Sequence, residues 1–335
     1  MEVIVINSFV ISALSTPLVR HIAVRFNFFD HPTSDIKSHR TAVPYLGGLA
    51  IMMGIIISLF SYRLSEGTFS EILSWKLFLP LGLLFILGTF DDIISMSARS
   101  RFLFQSIIFI MLVELLDLYI PISGIVLLDK VFTLFWLVGI TNAFNIIDIM
   151  DGLSSGVAII VALTLGLFGF IQGYNSLILL PLATAGAALG FIGYNFSKKH
   201  KIFMGDGGST LLGAVLGIAA VIFCKKSPQP LTDFISVLIL FGIPIYDTIL
   251  VIFLRIRKGL SPFKGSRDHF ALRMVQMGFT NVSTVISVYI VTAALAIVSH
   301  VVRSLSLWQA LLLLTAVSLF GITWGRMLSI IDVKK

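Results

Sequence analysis

Hydrophobic residues in this chain run in blocks rather than alternating with polar ones. Eleven apolar stretches stand out, at approximately 3–24, 44–62, 73–90, 102–120, 131–147, 153–173, 176–196, 209–224, 232–254, 282–302 and 307–330. Each approaches the roughly 20 residues that carry a helix across a ~30 Å hydrocarbon layer. Strand-like alternation interrupts none of them. The pattern predicts an all-α polytopic integral membrane protein of about 11 transmembrane helices, a single domain over 1–335. The first stretch lacks a basic n-region and a small-residue cleavage site, so it reads as a retained helix rather than a signal peptide. Polar segments at about 25–43, 91–101, 148–152, 197–208 and 255–281 separate stretches on one face, and the last has room for a short helix.

Composition sharpens the class. Of 335 residues, 57% are hydrophobic and only 12% charged, and mean hydropathy is +1.01. Soluble domains carry about 25% charged residues, so a soluble enzyme, a disulfide scaffold, a coiled coil and a disordered chain are excluded. The single cysteine, Cys224, forms no intrachain disulfide. Arg25, Lys37, Arg40, Arg99, Arg101, Lys198, Lys199, Lys201, Arg255, Arg257, Lys258, Lys264, Arg267 and Arg273 fall in odd-numbered loops. The even loops and their helix ends hold Arg63, Lys76, Lys130, Lys225, Lys226 and Arg303. The positive-inside rule places the odd loops in the cytosol, the N-terminus outside, and the C-terminus with Lys334 and Lys335 inside. Such short basic loops, dispersed between spans, do not describe a nucleic-acid binder.

The acidic residues carry the chemistry. Asp91 and Asp92 close the third stretch, Asp148 and Asp151 the fifth, Asp206 precedes the eighth, and Asp247 lies inside the ninth. Ionisable groups at membrane depth are functional suspects, although a single aspartate is also explained as a helix N-cap. Capping competes most directly at Asp206, which precedes Gly207, Gly208, Ser209 and Thr210. Independent caps would fall on both faces; these five terminal carboxylates all fall on the cytosolic one. Carboxylates beside basic loops suit a magnesium–phosphate site, because Mg²⁺ uses few carboxylates and completes its octahedron with phosphate oxygens and water. Lysine and arginine then balance the remaining phosphate charge. No His/Cys spacing suggests zinc, and no Walker-type phosphate loop is present.

Six segments in order, HRTAVPYLGG, DDIISMSARSRFLFQ, NAFNIIDIMDGL, YNFSKKHKIFMGDGGS, PIYD and RKGLSPF, resemble one family. It is the polyprenyl-phosphate N-acetylhexosamine-1-phosphate transferases, glycosyltransferase family 4 of the MraY/WecA/TagO type. Val43-Pro44-Tyr45-Leu46-Gly47-Gly48 and the eleventh stretch place the resemblance nearest the WecA/TagO branch. The resemblance implies helices around a cytosolic active-site cleft, a groove for a lipid carrier, Mg²⁺ (or Mn²⁺ in its place), and a homodimer. It implies the bacterial cytoplasmic membrane as the location. Asp206 matches the metal-binding aspartate, Asn145 an amide that helps hold the metal, and Asp91 and Asp92 a pair near metal and lipid phosphate. Arg101 matches a cation for the lipid phosphate, Asn195 and Phe203 a uridine pocket, and Asp148 and Asp151 a second acidic motif that eukaryotic members lack. Asn142, Lys258, Arg267 and Arg273 fall in segments expected to contact substrate. One departure concerns the loop after Ser-Pro-Phe: family members of this branch show three histidines, whereas this chain has Arg267-Asp268-His269-Phe270-Ala271-Leu272-Arg273, with His269 alone. His39 has only its loop position in its favour.

The implied reaction moves N-acetylglucosamine-1-phosphate from UDP-GlcNAc to undecaprenyl phosphate, with release of UMP, at the first membrane step of a cell-surface polysaccharide or teichoic acid. Direct in-line attack is the favoured route, with Asp92 orienting the acceptor; an aspartyl-phosphate route is the alternative. Two competing functions remain on sequence grounds. One is the UDP-MurNAc-pentapeptide transferase of peptidoglycan synthesis. The other is an ion-coupled transporter, whose sites lie near the midplane in broken helices; Asp247, Glu114 and Asp117 are the residues that suit it.

Overall fold

The computed structural model describes residues 2–31, 41–66, 74–262 and 266–331. Lys37, His39, Arg40, Lys264, Lys334 and Lys335 lie outside the described residues. In chain order come α1 (Glu2–Arg25), β1 (Phe29–Asp30), β2 (Val43–Pro44), α2 (Gly47–Glu66), α3 (Trp75–Ile94), α4 (Ala98–Leu116) and α5 (Val126–Ile146). There follow α6 (Leu153–Gln172), α7 (Asn175–Phe196), α8 (Gly205–Lys225), α9 (Pro230–Leu240), α10 (Gly242–Arg257), α11 (Phe270–Gln276), α12 (Asn281–Val302) and α13 (Leu307–Ser329). The two short strands pair antiparallel, Phe29 opposite Pro44 and Asp30 opposite Val43, inside a segment for which no strand was expected.

Among the described residues, nine helices are long and apolar enough to cross a membrane, and α9 with α10 supplies a tenth as a bent pair. The chain is a multi-pass membrane protein. The count differs from the expected eleven in two places. The stretch at 232–254 is bent by 69° where α9 meets α10. Proline has no amide hydrogen and its ring crowds the carbonyl four residues back, so Pro244 disrupts the ladder at Leu240, beside Gly242. The stretch at 102–120 is helical as α4, but that helix begins earlier and takes Arg99 and Arg101 into its first turn.

Helix α8 is the axis of the molecule. It is buried along its whole length and packs against α2, α3, α5, α6, α7 and α9. Small residues at close helix contacts let backbones approach where lipid supplies no hydrophobic drive, and α8 carries Gly207, Gly208, Gly213, Ala214, Gly217, Ala219 and Ala220. The Trp136 indole N–H of α5 donates to Gly217 O at 3.2 Å. Outer helices reverse the soluble pattern: α13 buries only Ala310, Gly325 and Leu328 and exposes Trp308, Leu312 and Phe320. Some buried hydroxyls bond to their own preceding turn, as Thr16 does to Ser12 O (2.7 Å) and Thr292 to Val288 O (2.7 Å).

At one end of this bundle the connecting segments are tied together by backbone bonds. Phe203 N–H donates to Pro44 O (2.9 Å), and the amides of Gly47 and Gly48 donate to Phe203 O and Met204 O (2.9 Å each). Arg20, near the end of α1, donates to Lys201 O at 3.1 Å. The hairpin, the start of α2 and the strap entering α8 are thereby one unit, and it holds the N-terminus of α8 in place.

Candidate active site

Four helix ends bring the acidic motifs together. The last turn of α3 presents Asp91 and Asp92, the first turn of α4 presents Arg101, α5 ends just after Asn145, and α8 opens with Asp206. Asp91 is buried; one oxygen accepts from Met96 N–H (2.6 Å) and the other pairs with the Arg101 guanidinium. Arg101 also reaches the Asn145 side-chain oxygen at 3.4 Å, and the Asn145 amide donates to Ser209 Oγ at 3.1 Å. The Asp206 carboxyl neighbours Arg101, Asp91 and Asn145. Asp92 accepts from the Asp206 backbone N–H at 2.9 Å, so it caps α8 from the end of α3. Capping was anticipated as a role for Asp206 itself; the structure gives that task to Asp92.

These positions are electrostatically costly. A helix C-terminus carries roughly half a negative charge and its N-terminus half a positive one. Asp206 and Asp92 sit well at the start of α8, but Asp91 and Asp92 also crowd the negative end of α3. Asp148, half-buried in the turn after α5, has its carboxyl pushed up to about 8 by burial, with the charges of Asp206 and Asp151 adding to the shift. Asp151 is matched by Lys201 at 2.6 Å, and that ammonium lies 5.2 Å from the Phe203 ring. Tyr45 packs beside the group, and burial together with Asp92 and Asp30 raises its phenol. Among the described residues, Arg101 is the cation set among Asp91, Asn145 and Asp206.

Asp91, Asp206 and Asn145 offer oxygen donors only, the set that suits a hard divalent cation. No three acidic, imidazole or thiol groups among the described residues converge as a ready-made metal cage. The donor set therefore fits an ion held by one or two protein oxygens and completed by substrate phosphate and water.

Several residues expected to contact substrate have protein partners. Asn195 is buried; its oxygen accepts from Gly152 N–H (2.6 Å) and its amide donates to Ile202 O (3.1 Å), tying the turn at 147–152 to the strap before α8. Asn142 donates to Gln105 Oε1 (2.6 Å) and Val138 O (2.8 Å), one turn inside the bundle from Asn145. Arg273 is 1% exposed. Its guanidinium bonds Asp268 O (3.2 Å), Asp268 Oδ1 (2.7 Å), Leu328 O (3.1 Å) and Ile331 O, pinning the end of α13 to the 266–269 segment. Arg273, expected in a substrate-contacting segment, is here a buried tie with every nitrogen engaged by protein. Lys258 pairs with Asp268 at 2.7 Å, and Arg267 sits half-buried beside it. Burial pushes the Asp268 carboxyl up, but Lys258 and Arg273 overcome this and hold it below the usual carboxylate range. His269 is buried with Nδ1 2.7 Å from Asp247 Oδ2.

Residues that motif reasoning passed over complete the site. Ser209 anchors Asn145, and the Tyr289 hydroxyl donates to Gly152 O at 2.5 Å, so both backbone groups of Gly152 are held. Gln105 lies four residues after Arg101, and Asn142 three before Asn145. Helical neighbours at these spacings share a face, so the pattern carried a readable signal for the Gln105–Asn142 pair.

A family model for glycosyl transferase family 4 matches residues 74–224, which include all four converging helix ends. Over 329 residues the chain is 30% identical to the probable undecaprenyl-phosphate N-acetylglucosaminyl 1-phosphate transferase of Bacillus subtilis (strain 168), covering 94% of this chain and 90% of the relative. The chain belongs to glycosyl transferase family 4. It is also 31% identical to a decaprenyl-phosphate N-acetylglucosaminephosphotransferase of Mycolicibacterium smegmatis, over 84% of this chain and 77% of the relative. An undecaprenyl-phosphate alpha-N-acetylglucosaminyl 1-phosphate transferase of Yersinia pestis is 28% identical, over 91% and 86% respectively. The family resemblance drawn from the six ordered segments is borne out by this membership. The relatives also cover the chain well beyond the segment matched by the family model, including the loop with the single His269.

Proposed function

We propose that this family 4 chain transfers N-acetylglucosamine-1-phosphate from UDP-GlcNAc to a polyprenyl phosphate, undecaprenyl phosphate in the first instance, and releases UMP. The observation that carries the reading is the meeting of Asp91, Asp92, Asn145, Asp206 and Arg101 at four helix ends, in a chain whose relatives are named for this transfer. An oxygen of the lipid phosphate attacks the phosphorus that bears the sugar; the bond from that phosphorus to the UMP oxygen breaks, and UMP leaves with the electron pair. Such transfers rest on positioning and charge neutralisation. Asp206, with Asn145 or Asp91, would hold Mg²⁺ (Mn²⁺ substituting), which when bound neutralises diphosphate charge. Arg101 supplies fixed positive charge beside Asp91, and Asn145 is steadied between Arg101 and Ser209. Asp92 fixes the start of α8 and with it the Asp206 carboxylate. A phosphomonoester has its second pKa near ~6, so the acceptor needs little help from a base at neutral pH and attacks in line.

The site is assigned to the cytosolic face of the bacterial inner membrane. Basic loops support this, as does Arg273, which holds the end of α13 to the 266–269 segment, where Asp268 pairs with Lys258. The N-terminus then lies outside and the C-terminus in the cytosol. The transporter alternative loses its residues: Asp117 pairs with Lys225 and Lys130, Glu114 with Lys130, and Asp247 with His269. The test is purified protein with undecaprenyl phosphate, Mg²⁺ and a panel of UDP-sugars. UMP release that requires the lipid and UDP-GlcNAc and stops with EDTA is expected, and Asp206→Asn should abolish it. Turnover only with UDP-MurNAc-pentapeptide would move the donor, and no UMP from any donor would sink the reading.

A further inference from the structure

Asp247 is a carboxylate with no exposed surface, inside α10, and it is neither in the four-ended cluster nor beside a cation that accounts for it. Burying a charge is expensive unless its oxygens are satisfied. Here both are: Oδ2 faces His269 Nδ1 at 2.7 Å and Oδ1 accepts from Phe270 N–H at 2.9 Å. Nearby, Asp268 pairs with Lys258 and Arg273, and Arg255, in the last turn of α10, donates to Ser261 O at 2.6 Å. Nδ1 is the His269 ring nitrogen that meets a protein partner among the described residues.

We infer that Asp247 is a positioning residue for His269, locking the imidazole with its proton on Nδ1 so that Nε2 is turned free toward the phosphates of the sugar-nucleotide donor. The inference rests on the proposed function for its substrate, but its geometry stands alone. Which ring nitrogen carries the proton is set by the bond the other one makes. A carboxylate oxygen can only accept, so Nδ1 must donate, and Nε2 is left as acceptor when neutral and as a donor to phosphate when protonated. One histidine held at two points, through its ring and through the next amide, has little freedom left to lose on binding. The neighbouring arginine, Arg273, serves to fix the loop rather than to contact substrate.

Two measurements on the full-length protein in detergent decide it. In ¹⁵N-histidine-labelled protein, with His269→Gln used to assign its signals among six histidines, His269 should show the Nδ1–H tautomer near neutral pH. Asp247→Asn should abolish that preference. An Nε2–H tautomer in the unmodified protein, or a tautomer indifferent to Asp247→Asn, overturns the inference. This arm needs no turnover, so it remains decisive if the proposed transfer fails. The second arm is a double-mutant cycle on UMP release. His269→Ala and Asp247→Asn should each lower kcat/KM by about 10- to 100-fold, the range found when a partner orienting a ligating histidine is removed. The double variant should fall no further than about twofold below His269→Ala, as expected when one residue acts through the other. Losses that multiply would show that Asp247 acts as a structural cap of α11, and would overturn the positioning role.

Discussion

Gly88→Ala tests the closeness of α3 and α8 more sharply than any change to a charged residue. A Cβ at Gly88 would stand 2.7 Å from Asp206 O and from Gly207 Cα, and 2.8 Å from Asp206 C. All three are backbone atoms, so no side chain can rotate away. Carbon atoms pack at about 3.5–4.0 Å, so α3 must withdraw from α8 by somewhat under about 1 Å. That displacement falls three residues before Asp91 and directly on Asp206. Overpacking of a tight interior costs about 1–3 kcal/mol, offset by up to about 1 kcal/mol from the better helix propensity of alanine. The expected result is a melting point lower by a few degrees and turnover lower by on the order of 10²-fold, the penalty for a ~1 Å misplacement of reacting groups. Gly82 on the same helix is the control, because a Cβ there meets nothing within 4 Å. Gly82→Ala should melt at or slightly above the parent and keep its activity. Thermal unfolding followed by size-exclusion chromatography, with UMP release on the surviving fraction, reads both. If Gly88→Ala matches Gly82→Ala within about 1 °C and twofold in rate, the close packing at Asp206 is refuted.

Other outcomes follow from particular contacts. Arg273→Ala removes a buried guanidinium and strands the carbonyls of Leu328 and Ile331; about 3–5 kcal/mol of stability should go, with early proteolysis at the C-terminal helix but no change in KM for the protein that stays folded. A raised KM at full stability would restore Arg273 to the substrate. Asp148 gives a pH signature: its carboxyl is raised to about 8 in the folded protein against 3.8 unfolded, so its stabilising share is complete below about pH 4 and is lost as pH climbs toward 8. Metal-free protein should therefore lose melting temperature across that window, and Asp148→Asn should flatten the slope. An unchanged slope in the variant would show that some other group titrates.

How far the molecule could be read in advance depended on where the constraint lies. A membrane fixes helix length and leaves unpaired acids only at helix ends, so Asp91, Asp92, Asp148 and Asp206 declared themselves from sequence position alone. The break at Phe241 was present as Gly242 and Pro244, but a 20-residue average of hydropathy passes over two residues. The protein partners of Asn195 and Arg273 were hidden for a different reason. Their partners, Gly152 and Leu328, lie 43 and 55 residues away in the chain, and nothing local says that an amide or guanidinium is already committed. Asp247 was visible as an acid inside a span; its histidine lies 22 residues on, across a loop.

The same accounting sets out what a divalent cation, bound as proposed, would supply. Lys201 takes Asp151, and Lys258 with Arg273 takes Asp268, leaving Arg101 among Asp91, Asp206 and Asn145. A cleft with such an excess of carboxylate would repel a diphosphate and a lipid phosphate alike. A second arginine in place of a carboxylate would attract both, but it would hold the released nucleotide as firmly as the donor. Asp206, with Asn145 or Asp91, would hold a divalent ion that offsets the diphosphate charge without adding a permanent cation to the site. On this electrostatic ground, Asp91→Asn should weaken the affinity for the cation before it weakens donor binding, whereas Arg101→Gln should weaken donor and acceptor binding at every cation concentration.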